Sequence, residues 1–319
     1  MYQTMKILLC TRAVSDHGED TLFDGLCRVL GPENVLEYPY KPSLHGGESI
    51  RYRRYPCMFD WPIIATDAEK EYMLSNDAFD AILIGCGTEY DFRTKGMNLD
   101  KFYDLLKRKS ATTPVYLVDM GDLVGINNKL WTDLNACLYF KREYRGRHMR
   151  FHHILPLNFS YSEKYIPTDI NTERTIPAFF AGSLNSYRKD CLRAFEEVSG
   201  IAPRRVSMSQ QSYSSELLKA RIGLSLYGFG HDTVRYYEVP AHGAMLLAQR
   251  PKIAIDHPFI DGETVIIFDT SKDLRGKLRF LLDHPDDVDR IRLAGYEWLK
   301  KYHTSRVRAT KLLEYIANA

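Results

Sequence analysis

Apolar residues gather along this chain in short runs of four to six, and between the runs they recur every three or four positions. A run of that length fits a buried strand, while the spaced pattern gives a helix one apolar face. In the first half this predicts strands at Lys6–Thr11, Asn34–Tyr38, Ala81–Gly85, Val115–Asp119 and His153–Leu157. Helices are expected over Asp20–Leu30, Asp67–Leu74 and Leu99–Lys109. Strands alternating with crossover helices make an α/β fold with parallel sheets.

A second series follows: strand Ile176–Ala181, helix Tyr187–Val198, then strands Ile222–Leu226, Met245–Ala248 and Val265–Phe268. Between the two series lies Ser160–Arg174, rich in Ser, Thr, Asn, Glu and Pro, which offers little apolar surface and reads as the interdomain connection. The tail is helical over Ser271–Leu282, stops at His284-Pro285, and resumes over Asp286–Ala319 with breaks near Gly295 and His303. Asp286, Asp287 and Asp289 open that helix, where carboxylates offset free N–H groups; a metal-binding DxD would instead follow a strand. The domains expected are 1–160, 161–303, and a final helix 304–319 returning to the first.

Composition narrows the class. With 319 residues, 45% of them hydrophobic and 26% charged, the chain can bury two cores. A net charge of +2 lacks the strongly basic face of a dedicated nucleic-acid binder, so phosphate binding has to be local. Cys10, Cys27, Cys57, Cys86, Cys137 and Cys191 form no CxxC pair and read as reduced core thiols. The apolar run Ile7–Cys10 is too brief for a leader or a span, so a cytoplasmic protein is expected.

The most informative stretch is LLKARIGLSLYGFGHDTVRYYEVPAHGAMLLA, Leu217–Ala248. It reads as a strand, a loop Tyr227–Thr233 carrying Gly228, Gly230 and His231, a helix over Val234–Ala241, and a further strand. Glycines let a backbone approach a ligand closely, and the N–H groups opening the helix suit an anion such as a diphosphate. Arg235 and Glu238 fall one turn apart: a guanidinium can clamp phosphate oxygens, and a carboxylate can accept from two ribose hydroxyls. The competing reading is an ion pair on a solvated helix face. Gly182 and Ser183, closing the strand of the second series, followed by Arg188, occupy the carboxyl end of a parallel strand, where a phosphate-facing loop belongs. Arg188 beside Lys189 also reads as a surface cation, and Lys219 and Arg221 read as a solvated face. Asp261-Gly262-Glu263 reads as a tight turn.

These blocks, continued by FIDGETVIIF and by DLRGKLRFLLDHPDDVDRIRLAGYEWLKKYHTSRVRATKLLEYI, resemble the C-terminal domain of spore-maturation CgeB-like glycosyltransferases over roughly residues 175 to 319. That resemblance implies the GT-B architecture, two Rossmann-like domains facing across a cleft, with the last helix bracing the first domain. It implies a nucleotide-diphosphate sugar as donor, transfer to a sugar, lipid-linked or protein acceptor, and ribose contact by Glu238; the leaving diphosphate is expected to be stabilised by loop N–H groups and Arg188 or Arg235, with no essential metal or other cofactor. Related retaining enzymes often carry a further glutamate eight positions earlier, where this chain has Gly230.

In the first domain the loop after the first strand offers Asp16 and His17 as a general base for an acceptor hydroxyl. The rival is a helix cap at Asp16 with an exposed His17; Glu89, Asp91 and Asp119 also follow strand ends. The run KREYRGRHMR, Lys141–Arg150, reads as a solvated basic face that allows peripheral contact with an anionic acceptor or membrane. Rival functions on the same scaffold are a nucleotide-sugar epimerase or hydrolase, and a nucleotide-sugar-binding protein without turnover.

Overall fold

The apolar run ILLC forms the first strand, β1 (Ile7–Cys10), and all four residues are buried because the parallel sheet around it is covered on both faces. The structure is a computed structural model that describes residues 4–47, 58–93, 99–205 and 209–319. It divides into two compact units. The first comprises residues 1–162, 253–256 and 305–319; the second comprises 163–252 and 257–304. Among the described residues no helix is long and apolar enough to cross a membrane.

In the first unit, α1 (His17–Leu30) leads to β2 (Val35–Tyr38), and α2 (Asp67–Ser75) leads to β3 (Ala81–Gly87), with β4 (Tyr90–Asp91) folding back antiparallel on β3. Then come α3 (Asp100–Lys109), β5 (Val115–Asp119), α4 (Asn128–Asp133), β6 (Leu138–Lys141) and β7 (Ile154–Pro156). The parallel strands are ordered β2-β1-β3-β5-β6-β7. Winding therefore reverses between β1 and β3, which sets the loops after those strands on either side of a topological switch point.

Three elements here were not expected from sequence, β4, α4 and β6, and β6 changes the reading of the run that follows it. Lys141, Arg142 and Glu143 are buried, as is His148, and Arg145 is half-buried, so the basic run is fully solvated only at Gly146, Arg147, Met149 and Arg150. Lys141 Nζ meets Asp119 Oδ2 at 2.7 Å with both side chains fully enclosed, and Tyr139 donates to the same oxygen at 2.5 Å. A buried pair of this kind is tolerated because its hydrogen bonds are made.

The last helix, α10 (Ser305–Ala317), belongs to this unit and lies against α1. Asp24 fixes the contact: its buried carboxylate accepts from Ser305 Oγ (2.6 Å), Ser162 Oγ (2.7 Å), Arg28 Nε (2.9 Å) and Trp61 Nε1 (3.1 Å). Ser160, Tyr161 and Ser162 are themselves buried, so the polar connection expected from Ser160 begins inside a packed unit. The helices approach closely because Gly25 has no side chain; a Cβ there would lie 2.1 Å from the Ser305 carbonyl oxygen. Gly25→Ala is thus expected to push α10 off α1, lowering stability by about 2–3 kcal/mol, read as a lower urea midpoint with unchanged far-UV spectrum below it.

The second unit begins with β8 (Ile176–Phe179) and β9 (Ala181–Gly182), interrupted only at Phe180. It continues through α5 (Lys189–Ser199), β10 (Arg204–Arg205), α6 (Gln210–Lys219) and β11 (Ala220–Ser225). After these come α7 (Val234–Ala241), β12 (Met245–Gln249), β13 (Ile266–Phe268), α8 (Ser271–Asp283) and α9 (Pro285–Tyr302). The sheet order is β13-β12-β11-β8, all parallel, and β9 pairs in parallel with β10. The chain goes out from β9 to β10 and returns to β11 beside β8, giving this unit its own switch point between the loops after β9 and β11.

Helix α9 runs through Gly295 without the expected break. The glycine serves packing instead: a Cβ at 295 would sit 2.7 Å from the Thr264 carbonyl oxygen, so its absence lets the helix lie close to that backbone. The break at His303 is present, and Asp286 and Asp287 occupy the first turn of α9. Gly262 takes φ of +83°, the turn expected at Asp261-Gly262-Glu263. Cys10, Cys27, Cys86 and Cys191 are buried free thiols, but Cys137 is exposed, which corrects its reading as a core residue; Cys57 lies outside the described residues.

Candidate functional site

At the switch point of the second unit, one arginine joins the two loops. Arg188 is buried, not a surface cation: its Nη1 donates to the Ser183 carbonyl (2.9 Å), its Nε to Tyr227 (3.0 Å) and its Nη2 to Leu226 (3.0 Å). The loop after β9 and the loop after β11 are thereby held at a fixed separation. A second arginine lies alongside. Arg235 Nε donates to the Ala181 carbonyl at 2.7 Å, and both guanidinium groups lie near the Phe180 ring, at 6.0 Å for Arg188 and 5.3 Å for Arg235.

The glycines are placed for these arginines. A Cβ on Gly182 would stand 2.5 Å from Arg235 Nη2, and one on Gly228 would stand 3.2 Å from Arg188 Nη2. Gly228 N–H donates to the Gly230 carbonyl at 3.1 Å, closing the loop on itself. His231 packs on Tyr227 with ring centroids 4.3 Å apart and accepts the Lys252 N–H at its Nδ1 (3.3 Å).

Helix α7 opens without a side-chain cap. Thr233 has the extended backbone of a capping residue, but its hydroxyl meets Ser225 Oγ at 3.2 Å and leaves the first-turn N–H groups to other acceptors. No acidic residue occupies that turn. An uncapped helix start with Arg235 in its first turn favours a bound anion.

One turn further, Glu238 is buried. Burial pushes its carboxyl above the usual range, opposed by the charge of Arg235 and by hydrogen bonds from Tyr213 and Gln210. The solvated ion pair considered from sequence is therefore not what forms. Gly182, Ser183, Arg188, Tyr227, Gly228, Gly230, His231, Thr233, Arg235 and Glu238 are gathered around the ends of β9 and β11 and the start of α7. Three participants carried no signal in the sequence: Phe180, beneath both cations, and Tyr213 and Gln210 on α6, which hold the glutamate.

Residues 181–314 match a family model described as glycosyl transferase-like. The fold is similar to that of an alpha-glucosyltransferase in complex with UDP-glucose and DNA containing an abasic site, at TM-score 0.66 and 12% identity, covering 98% of this chain and 100% of that one. It is also similar to Anabaena Alr3699/HepE in complex with UDP and glucose (TM-score 0.61, 11% identity, 99% and 100% covered). A third is sucrose-phosphate synthase from Thermosynechococcus elongatus (TM-score 0.60, 9% identity, 98% of each chain). The chain is a glycosyltransferase with the GT-B fold. The family description does not name the CgeB-like group, and no curated protein sequence matches.

In the first unit of the glycosyltransferase, Asp16 caps α1, accepting the Glu19 N–H at 3.1 Å, and is ion-paired with Arg12. Arg12 in turn lies over the Tyr90 ring at 4.4 Å, bringing the loops after β1 and β3 together at this unit's switch point. His17 is buried rather than exposed. Its Nε2–H donates to the Ser160 carbonyl at 2.9 Å, its ring meets Phe159 edge-on at 5.2 Å, and burial pulls its pKa down to about 4. Of the alternative carboxylates, Asp119 is enclosed with Lys141, Asp91 is paired with Arg93 at 2.6 Å, and Glu89 is exposed.

The second unit of the glycosyltransferase has a comparable imidazole in His242, fully buried behind α7, with Nδ1–H donating to the Glu238 carbonyl at 2.9 Å and a pKa lowered by burial to about 4. A folded-state value below the ordinary 6.5 means that the unfolded chain takes the proton first, so this contribution to stability is lost as pH falls from about 6.5 to about 4. His242→Gln is expected to lose less stability than the native protein across that window. Urea midpoints at pH 7, 5.5 and 4 for the two proteins measure the difference.

Proposed function

We propose that this glycosyltransferase binds a uridine-diphosphate sugar in its second unit and transfers the sugar to an acceptor hydroxyl. The observation that carries this reading is the pairing of a start of α7, which Thr233 does not cap, with Arg235 and a buried Glu238. The diphosphate lies against the N–H groups of the loop and the first turn, Arg235 supplies the charge, and Glu238 accepts from the ribose hydroxyls. Arg188 acts as a positioning residue that holds both loops. The neighbouring folds solved with UDP or UDP-glucose favour uridine as the base.

At the transition state, negative charge grows on the departing diphosphate oxygen as the bond to the anomeric carbon breaks. Preorganised N–H donors and a guanidinium stabilise that charge without waiting for reorganisation. The step needs no divalent ion, so turnover is expected to persist in EDTA. The acceptor side is proposed at the first unit's switch point. There Asp16, which its capping bond and Arg12 hold as a carboxylate below the usual range despite burial, receives the hydroxyl proton or orients the acceptor. His17, buried and neutral, positions the start of α1. The CgeB-like group is proposed as the closer relationship, on the order and spacing of Arg235, Glu238, Asp261-Gly262-Glu263, Gly295 and His303-Thr304.

The test is direct. UDP is expected to raise the melting temperature of the native protein more than other nucleoside diphosphates do. Gly182→Ala, whose added methyl meets the movable end of Arg235, is expected to keep the fold and weaken UDP by about fivefold to tenfold, less than the loss of a whole charged hydrogen bond because the guanidinium is shifted and not removed. Unchanged UDP binding in Gly182→Ala would remove Arg235 from the site. Release of labelled sugar into water without an acceptor product would favour a hydrolase.

A further inference from the structure

The carboxyl ends of the strands in the second unit carry the loops just described; the amino ends carry a separate concentration of cations. Arg174 precedes β8, Arg221 lies at the start of β11, and Arg292 is on α9. Arg174 and Arg221 line a cavity of about 410 Å³ whose wall also includes Ser199, Leu281 and Val288.

Their hydrogen bonding is incomplete in a particular way. Arg174 donates to the carbonyls of Ala220 (2.6 Å), Ile170 (3.1 Å) and His242 (3.1 Å), yet among the described residues its buried Nε–H has no acceptor. Arg292 donates from Nε to Asp289 at 2.6 Å while its buried Nη1 has none. Arg221 reaches the same carboxylate only at 4.0 Å. Among the described residues, Arg292 and Arg221 thus share the Asp289 carboxylate, and Arg174 is ion-paired with none.

Carbonyl oxygens satisfy donors but do not neutralise charge. Burial, and secondly the nearby Arg292, hold the Arg174 pKa down to about 10, the direction expected of a cation short of an anion. Oxyanions with several acceptor oxygens match such a set of guanidinium N–H groups.

We propose that this cavity is a second ligand site, taking a phosphate-type oxyanion between Arg174 and Arg221, with the charge of Arg292 close to Arg174. It is distinct from the donor loops: β11 separates Arg221 from Leu226 by five residues, about 17 Å of strand. The apolar wall of Leu281 and Val288 leaves room beyond the phosphate for the body of a small phosphate monoester. The inference does not rest on the donor reading.

The experiment is calorimetric titration of inorganic phosphate into the full chain at constant ionic strength, with UDP saturating so that a donor-site response is suppressed. The native protein is expected to bind phosphate. Arg221→Ala is expected to weaken binding at least tenfold while leaving the melting temperature nearly unchanged, because that side chain is a third exposed and makes only the long contact with Asp289. Asp289→Asn, which removes the competing carboxylate, is expected to bind phosphate more tightly, and Arg235→Ala to bind it as the native protein does. Glucose 6-phosphate binding tighter than phosphate identifies a monoester as the occupant, and the reverse order identifies the free ion; either keeps the site. Absence of binding to the native protein, equal binding by native and Arg221→Ala, or loss in Arg235→Ala with retention in Arg221→Ala would overturn it.

Discussion

Glu238→Ala is expected to weaken UDP binding by roughly 10- to 100-fold and to remove most of the melting-temperature rise that UDP produces. A hydrogen bond to a charged group contributes about 1.5–3 kcal/mol, and each 1.4 kcal/mol is a factor of ten in affinity. The carboxylate is already held by Tyr213, Gln210 and the charge of Arg235, so the ribose meets a fixed acceptor. The same substitution strands the Tyr213 hydroxyl, which changes the unliganded protein as well. For that reason the measured quantity is the UDP-induced shift within each variant, and Glu238→Gln, which keeps shape and one acceptor, should retain part of it. Because burial raises this carboxyl, protonation sets in above the ordinary 4.5 as pH falls, and UDP affinity should decline with it. Equal UDP shifts in Glu238→Ala and the native protein would count against the ribose contact.

Lys141→Met should be the most damaging single change in the first unit, costing about 3–5 kcal/mol, or roughly 10 °C in melting temperature. It leaves the Asp119 carboxylate enclosed with only Tyr139 and the Gly121 N–H (2.9 Å) as donors. Burial already pushes this carboxyl above its usual range, with Lys141 opposing. Without the lysine its folded-state value rises further, so the folded protein binds the proton more readily than the unfolded chain. The deficit should then shrink as pH is lowered from 7 toward 5. A companion Asp119→Leu change is expected to restore much of the loss, since an apolar pair of similar volume needs no desolvation. A deficit that is independent of pH would mean lost packing and not a stranded charge.

The strands at Ile7, Ala81, Val115 and Ile222 were legible because a parallel strand covered on both faces writes itself as a nearly continuous apolar run. The strand Leu138–Lys141 was not, since it ends in a lysine and runs into arginine and glutamate. Whether such charges are solvated depends on whether counter-charges await them, and Asp119, Lys141's partner, lies on the neighbouring strand, 22 positions earlier. His17 went astray for a similar reason: its acceptor, Ser160, is 143 residues distant. Gly295 suggested a break because glycine weakens isolated helices, whereas here it answers a packing need set by Thr264. The donor residues were readable as a set because loop, glycines, arginine and glutamate are contiguous in the chain; their supports Tyr213 and Gln210 come from another element.

Helix α10 comes after every other described element in the chain and is a structural part of the first unit. A chain emerging from the ribosome amino end first would complete the sheet of the first unit and still leave Gly25 and Asp24 uncovered until residues 305–317 follow. Through that interval the incomplete unit exposes an apolar helix face to chaperones and proteases. Trimming the carboxyl end should consequently harm the amino-terminal half, and limited proteolysis of a chain stopped at Thr304 should cut there first.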